Sequence, residues 1–209
     1  TGTITNETVL LEYYMDILGN DSEMVLDYAY LNSFYHSGIR NPIDTAILKC
    51  REIPDRQGYY ETLTQDWQKK DEVPFDYERK CVSVLIENQT GRQELVLKGE
   101  PEAILRRCNK VEYQKQILPI QDDDKRNMEE VIGEMLEDGM KVIAIAKKEV
   151  TNFGKITFAD EREMTLLGYL AFFDAPKSSA KEAVQKLRDL EVRTKILTGD
   201  RKDVALSVC

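Results

Sequence analysis

Thr198, Gly199 and Asp200 follow the apolar run Ile196-Leu197 and place a hydroxyl, a flexible backbone unit and a carboxylate where a strand gives way to a helix. Ligands of open α/β sheets gather at the carboxyl ends of strands. A threonine hydroxyl followed by the free N–H groups of a helix N-terminus can hold a phosphoryl oxygen. By itself the tripeptide reads more readily as an ordinary helix N-cap after a strand. Its company changes that reading: Thr1-Gly2-Thr3 stands at the other end of the sequence, and Asp174-Ala175-Pro176-Lys177 stands one strand–helix–strand unit earlier. The chemistry these groups share is phosphoryl transfer, with two halves of one site at the two ends of the chain.

Composition bounds what can surround such a site. The chain has 209 residues, 42% hydrophobic and 32% charged, enough for one large core or two small ones and unlike a disordered sequence. Its longest apolar run, Leu166 to Phe173, is far short of the ~20 residues a bilayer span requires, and no signal-like segment opens the sequence, so a soluble piece is expected. A net charge of −9 argues against nucleic acid, and any bound polyanion needs local cations that override the global field. The four cysteines are widely spaced and read as free thiols. His36 is the only histidine, which argues against a His-based metal site or a Ser-His-Asp triad within the chain and favours a residue of a helix's last turn.

The elements that must position these residues are legible in outline. Asp21-Ser22 caps a helix through Tyr35, ended by Gly38, and Asn41-Pro42 starts a second. Glu72 to Phe75, Lys80 to Glu87 and Gln93 to Lys98 read as strands of an antiparallel meander. Pro101 starts a short helix, Asp122-Asp123-Asp124 leads a longer one to Leu136, and Lys141 to Ala146 is a buried strand. From Leu166 the pattern becomes strand to Phe173, helix from Ser178 to Leu190, strand from Val192 to Leu197 and a further helix after Asp200, a βαβ unit with a parallel sheet. The expected architecture is an α+β body with an antiparallel sheet, residues 10–163, inserted into a partial α/β domain of which 1–9 and 164–209 are pieces.

The order Thr1-Gly2-Thr3, Pro74-Phe75-Asp76-Tyr77-Glu78-Arg79-Lys80, Lys98-Gly99-Glu100-Pro101-Glu102, Asp174-Ala175-Pro176-Lys177 and Thr198-Gly199-Asp200 resembles the cytoplasmic loop of the cation-transporting P-type ATPases over the whole chain. The strings Val73 to Arg79, Gly168 to Asp174 and Lys195 to Asp200 are most similar to the bacterial magnesium-transporting subfamily. The resemblance implies that 10–163 is a nucleotide-binding domain and that the flanks belong to a haloacid-dehalogenase-like phosphorylation domain. It also implies that the nucleophilic aspartate lies two residues before Thr1 and that the magnesium-binding aspartates lie beyond Cys209. The 209 residues alone are then expected to be inactive.

By the same resemblance Phe75 is the aromatic on which adenine stacks, Asp44 stands near the adenine amino group, and Lys80, Lys98 and Lys141 line the nucleotide pocket with Arg79, Gly99 and Asp174. Thr1, Gly2, Thr3, Thr198, Gly199, Asp200 and Lys177 are supporting residues of the catalytic core. Two departures stand out: Glu100 occupies a position that is usually alanine, and Ala175 a position that is usually proline.

The function implied is presentation of ATP, with Mg²⁺, to an aspartate outside this sequence. The partners would be adenine nucleotide and the remaining phosphorylation, actuator and transmembrane domains of a cell-membrane protein whose cytoplasmic part this is. The alternatives are a calcium or proton pump of the same family, a soluble phosphatase of the haloacid dehalogenase type, and an interaction module that has lost nucleotide binding.

Overall fold

The computed structural model describes residues 9–174 and 177–195. Thr1, Gly2, Thr3, Ala175, Thr198, Gly199 and Asp200 lie outside them. Eight strands form one sheet: β1 (Leu10–Met15), β2 (Trp67–Asp76), β3 (Cys81–Asn88), β4 (Gln93–Gly99), β5 (Cys108–Tyr113), β6 (Gln116–Pro119), β7 (Lys141–Val150) and β8 (Met164–Phe173). Their order is β2-β3-β4-β7-β8-β5-β6, with β1 also on β8. The helices are α1 (Glu23–Tyr35), α2 (Pro42–Leu48), α3 (Tyr59–Asp66), α4 (Pro101–Leu105), α5 (Asp122–Glu137) and α6 (Ser178–Asp189).

The meander β2-β3-β4 is antiparallel, as its alternating runs and the Asn88–Arg92 turn require. Its inner strands are covered on both faces. Leu85, Leu95 and Leu97 pack with Ile104, Met128 and Met135 of α4 and α5. On the opposite face Val84, Ile86 and Val96 pack against Leu31 of α1, while Ile143 and Ile145 meet α1, α2 and α3 through Val25, Leu26, Ile47 and Tyr60. Because both faces are apolar, burial alone does not fix the register, since each fully buried aliphatic contributes ~1.5–3 kcal/mol whichever way it points. The polar residues fix it: slipping β4 by one residue would swing Lys98 to the α5 face, away from its only carboxylate partner in Asp44.

The last strand departs from the sequence expectation. Expected in a parallel sheet, β8 joins the antiparallel one instead. It runs antiparallel to β7 from Lys141↔Phe172 to Lys147↔Thr165 and antiparallel to β1, and is parallel only to β5. The sheet therefore continues across the expected 163/164 boundary to Phe173. The reason is burial on both faces: every residue of β8 except Phe173 is buried, and such a run reads the same in a parallel strand as in a central antiparallel one. Gly168 sits where β1 meets β8. Its φ is +153°, and a Cβ there would lie 2.0 Å from the Met15 carbonyl oxygen, so only glycine lets β1 end there. Helix α6 forms where expected, whereas residues 192–195 are not in a strand. Strands β1, β5 and β6 and helix α3 were not expected.

Candidate nucleotide site

Phe75, Lys80, Gly99, Lys141 and Asp174 are brought to one end of the sheet by its register. Asp76 pairs with Cys81, Cys81 with Gly99, Gly99 with Ala144, and Lys141 with Phe172. Strands β2, β4 and β8 finish at this end and β3 and β7 begin there. Residues far apart in sequence thus line a single edge.

Phe75 is presented by a β-bulge. Between Val73↔Ser83 and Asp76↔Cys81, β2 advances three residues while β3 advances two. An extra residue leaves ladder groups unpaired and turns a side chain outward. Pro74 sits here without cost because β2 is an edge strand and Pro has no N–H to pair. Phe75 is 53% exposed, with its ring 5.4 Å from that of Tyr77 and nearly perpendicular to it, so it is no core residue. The next turn is closed by Asp76, whose Oδ1 accepts from Glu78 N at 2.8 Å and Arg79 N at 2.9 Å. The Arg79 amide in particular holds the Asp76 carboxyl below the usual range. Lys80 completes the turn at φ +56°.

Arg79 points inward. Its Nη2 donates to the Pro74 and Cys81 carbonyls and its Nη1 to Glu161, so the guanidinium bonds the bulge rather than standing open to a ligand. Lys80 lies 2.7 Å from Glu100 Oε2, half exposed, which shows where the unusual Glu100 directs its charge. Gly99 is required by close approach: a Cβ would sit 2.4 Å from the Lys80 carbonyl oxygen.

The expected Asp44 and Lys98 form one buried cluster. Asn41 and Asp44 make a reciprocal capping box at the start of α2. This turns the Asp44 carboxylate toward the sheet, where Lys98 Nζ donates to its Oδ1 and to Ser33 Oγ at 2.6 Å. His36 Nε2 lies 3.2 Å from Asp44 Oδ2. Burial works to raise the Asp44 pKa, but the contacts with His36 and Lys98 outweigh it and hold the carboxyl well below the usual range. Burial lowers the Lys98 pKa, with the Asp44 charge opposing. Each of the two lysines expected over the phosphates therefore has a carboxylate of its own.

Lys141 Nζ is 3.1 Å from Asp174 Oδ2, joining the start of β7 to the end of β8. Lys141 also lines a cleft of about 510 Å³ between α4 and α5 with Glu100, Glu102, Glu129 and Ile132. Lys177 is partly buried at the start of α6. Sequence reasoning did not single out Ser33, Glu161 or the partnership of His36 with Asp44. The Asn-Pro-x-Asp capping signal could have indicated that Asp44 points inward; nothing local marks Glu161.

Residues 15–179 match the family model of the P-type ATPase cytoplasmic domain N. The chain belongs to the P-type ATPases. Among its relatives in that family, the magnesium-transporting ATPase, P-type 1, of Escherichia coli K12 is 38% identical over 210 residues, covering all of this chain and 23% of the relative. The corresponding protein of Salmonella typhimurium 14028s is also 38% identical, over 211 residues. Calcium-transporting ATPase 1 of Lactococcus lactis is 25% identical over 225 residues. The chain thus spans under a quarter of the length of the magnesium-transporting relatives it matches. In this domain N, no helix among the described residues is long and apolar enough to cross a membrane.

Proposed function

We propose that this domain N binds ATP for a magnesium-transporting P-type ATPase. Adenine stacks on Phe75, and the phosphates extend along the sheet end that carries Lys80, Lys98 and Lys141. The observation that carries this reading is the half-exposed Phe75 on an edge-strand bulge, at the sheet end where the Lys80 side chain is also half exposed. An aromatic with an open face at a site rich in Lys suits a base joined to a polyanion.

In the whole protein the bound ATP is presented to an aspartate ahead of Thr1, and Thr1, Gly2, Thr3, Lys177, Thr198, Gly199 and Asp200 support the transfer from a haloacid-dehalogenase-like domain flanking this one. A covalent aspartyl phosphate splits hydrolysis into two steps, and Mg²⁺ carried with ATP neutralises the transferred group. The domain would sit on the cytoplasmic side, joined to actuator and transmembrane domains. Magnesium rather than calcium is favoured as the cargo because the magnesium-transporting relatives are 38% identical and the Lactococcus lactis calcium-transporting relative 25%.

Calorimetric titration of the domain with ATP, GTP and adenosine tests the reading. ATP and adenosine should bind with GTP weaker. Equal affinity for ATP and GTP, or none for either, rejects it and leaves a module without nucleotide binding.

A further inference from the structure

Glu161 is 2% exposed and is the carboxylate at the centre of a buried cationic cluster. It accepts from Arg79 Nη1 and, at 2.8 Å, from Ser83 Oγ, and lies 3.4 Å from Arg107 Nε. Its own segment is fixed. The turn Phe158–Asp160 is closed by Thr157 and Asp160 in a capping box, and Lys148 Nζ donates to the carbonyls of Asp160 at 2.5 Å and Arg162 at 2.7 Å.

Arg79 in turn donates to the carbonyls of Pro74 and Cys81, the two sides of the bulge. A bulge frees backbone groups that need partners, and a planar guanidinium can bind a carboxylate with one arm and carbonyls with the other. No other side chain among the described residues bonds the Pro74 carbonyl, the residue immediately before Phe75.

We propose that Glu161 is a positioning residue for the nucleotide site: through Arg79 it holds the Pro74–Phe75 bulge so that the Phe75 ring faces a ligand. The proposal deepens the reading above and rests on Phe75 being the base platform. Glu161 lies 82 residues from Arg79 in sequence and reaches the bulge through it. Its effect is on the geometry of the platform, so it should act on the base and not on the phosphates.

The test compares three variants by calorimetry with ATP and adenosine, by thermal unfolding, and by amide NMR of Phe75–Lys80. Glu161→Gln keeps the shape but removes the charge that orients Arg79. Arg79→Lys keeps the charge but loses the fork, and serves if Glu161→Gln does not fold. Glu94→Gln alters another buried carboxylate, bound to the Tyr28 hydroxyl at 2.6 Å and paired across the sheet with Ile86, away from the bulge.

Glu161→Gln and Arg79→Lys should each raise the Kd of ATP and adenosine by a similar factor, at least about fivefold. The Phe75–Lys80 amides should shift or broaden. Glu94→Gln should lower Tm with both Kd values within about twofold. Unchanged Kd in Glu161→Gln and Arg79→Lys, with a fall in Tm like that of Glu94→Gln, would make Glu161 a packing residue only and overturn the proposal. If the unaltered domain binds neither ligand, the base-platform reading fails separately. The amides then decide the positioning role: selective change at Phe75–Lys80 supports it and none overturns it.

Discussion

Lys98 and Asp44, 54 residues apart in sequence, meet as a buried ion pair between β4 and α2, each side chain 6% or less exposed. The pair ties the helical layer to the sheet at the end proposed to bind nucleotide. Removing one partner of such a pair strands a charge in low dielectric, which generally destabilises by about 3–5 kcal/mol. Asp44→Asn should therefore lower stability by about that much in chemical denaturation. Asp44→Asn with Lys98→Met should recover most of the loss. A single variant as stable as the parent would show that the pair does not contribute in solution.

The same pair sets a pH dependence. The folded-state pKa of Asp44 is depressed below 3.8, so its stabilisation is present above that value and is lost as pH falls below it. The lowered pKa of Lys98 marks a cost rather than a gain: its charged form is penalised by burial, and that penalty is relieved as pH rises toward 10.5. Unfolding free energy measured against pH should show an acid limb below pH 3.8 that Asp44→Asn flattens.

Phe75→Ala should weaken ATP and adenosine alike by about 1–3 kcal/mol, the range for base stacking on an aromatic. Because Phe75 is 53% exposed, Tm should hardly change. Calorimetry and a melt on one sample check both. A large fall in Tm would return Phe75 to a packing role.

Glu100→Ala releases Lys80 from its ion pair. An exposed pair contributes at most about 1 kcal/mol, so ATP should bind up to about fivefold tighter at low salt, with adenosine unchanged. The gain should fade with added salt as screening rises. Equal changes for ATP and adenosine would place Lys80 away from the phosphates.

Gly168→Ala should be among the most damaging single changes, on the order of 3 kcal/mol or more, since the new Cβ meets backbone that has no room to shift. Yield and Tm of the variant check this.

The meander, α1, α2, α5 and β7 were legible because their capping residues and alternating runs are local signals. The pairing of Lys98 with Asp44 was not legible at all, because it depends on how α2 lies on β4. Arg79 was expected at the ligand and is found inside. No spacing rule links it to Glu161. β8 misled because a strand covered on both faces carries no mark of direction. Glu100 was noted as an extra charge by the pocket, but its match with Lys80 follows from the turn that places the two backbones 3.0 Å apart, N to O.

Leu10 of β1 lies directly opposite Phe173 of β8, so the chain enters and leaves the sheet through neighbouring strands, about 5 Å apart. Two connections so close mean that a load applied to both ends of this segment would meet in one pair of hydrogen-bonded strands rather than pull across the whole sheet. Lys141, bonded to Asp174 just past the end of β8, ties β7 to the point where that pair of strands ends. The Lys141 side chain therefore braces the exit strand, so that the last residues of β8 are held by a side-chain bond as well as by the ladder.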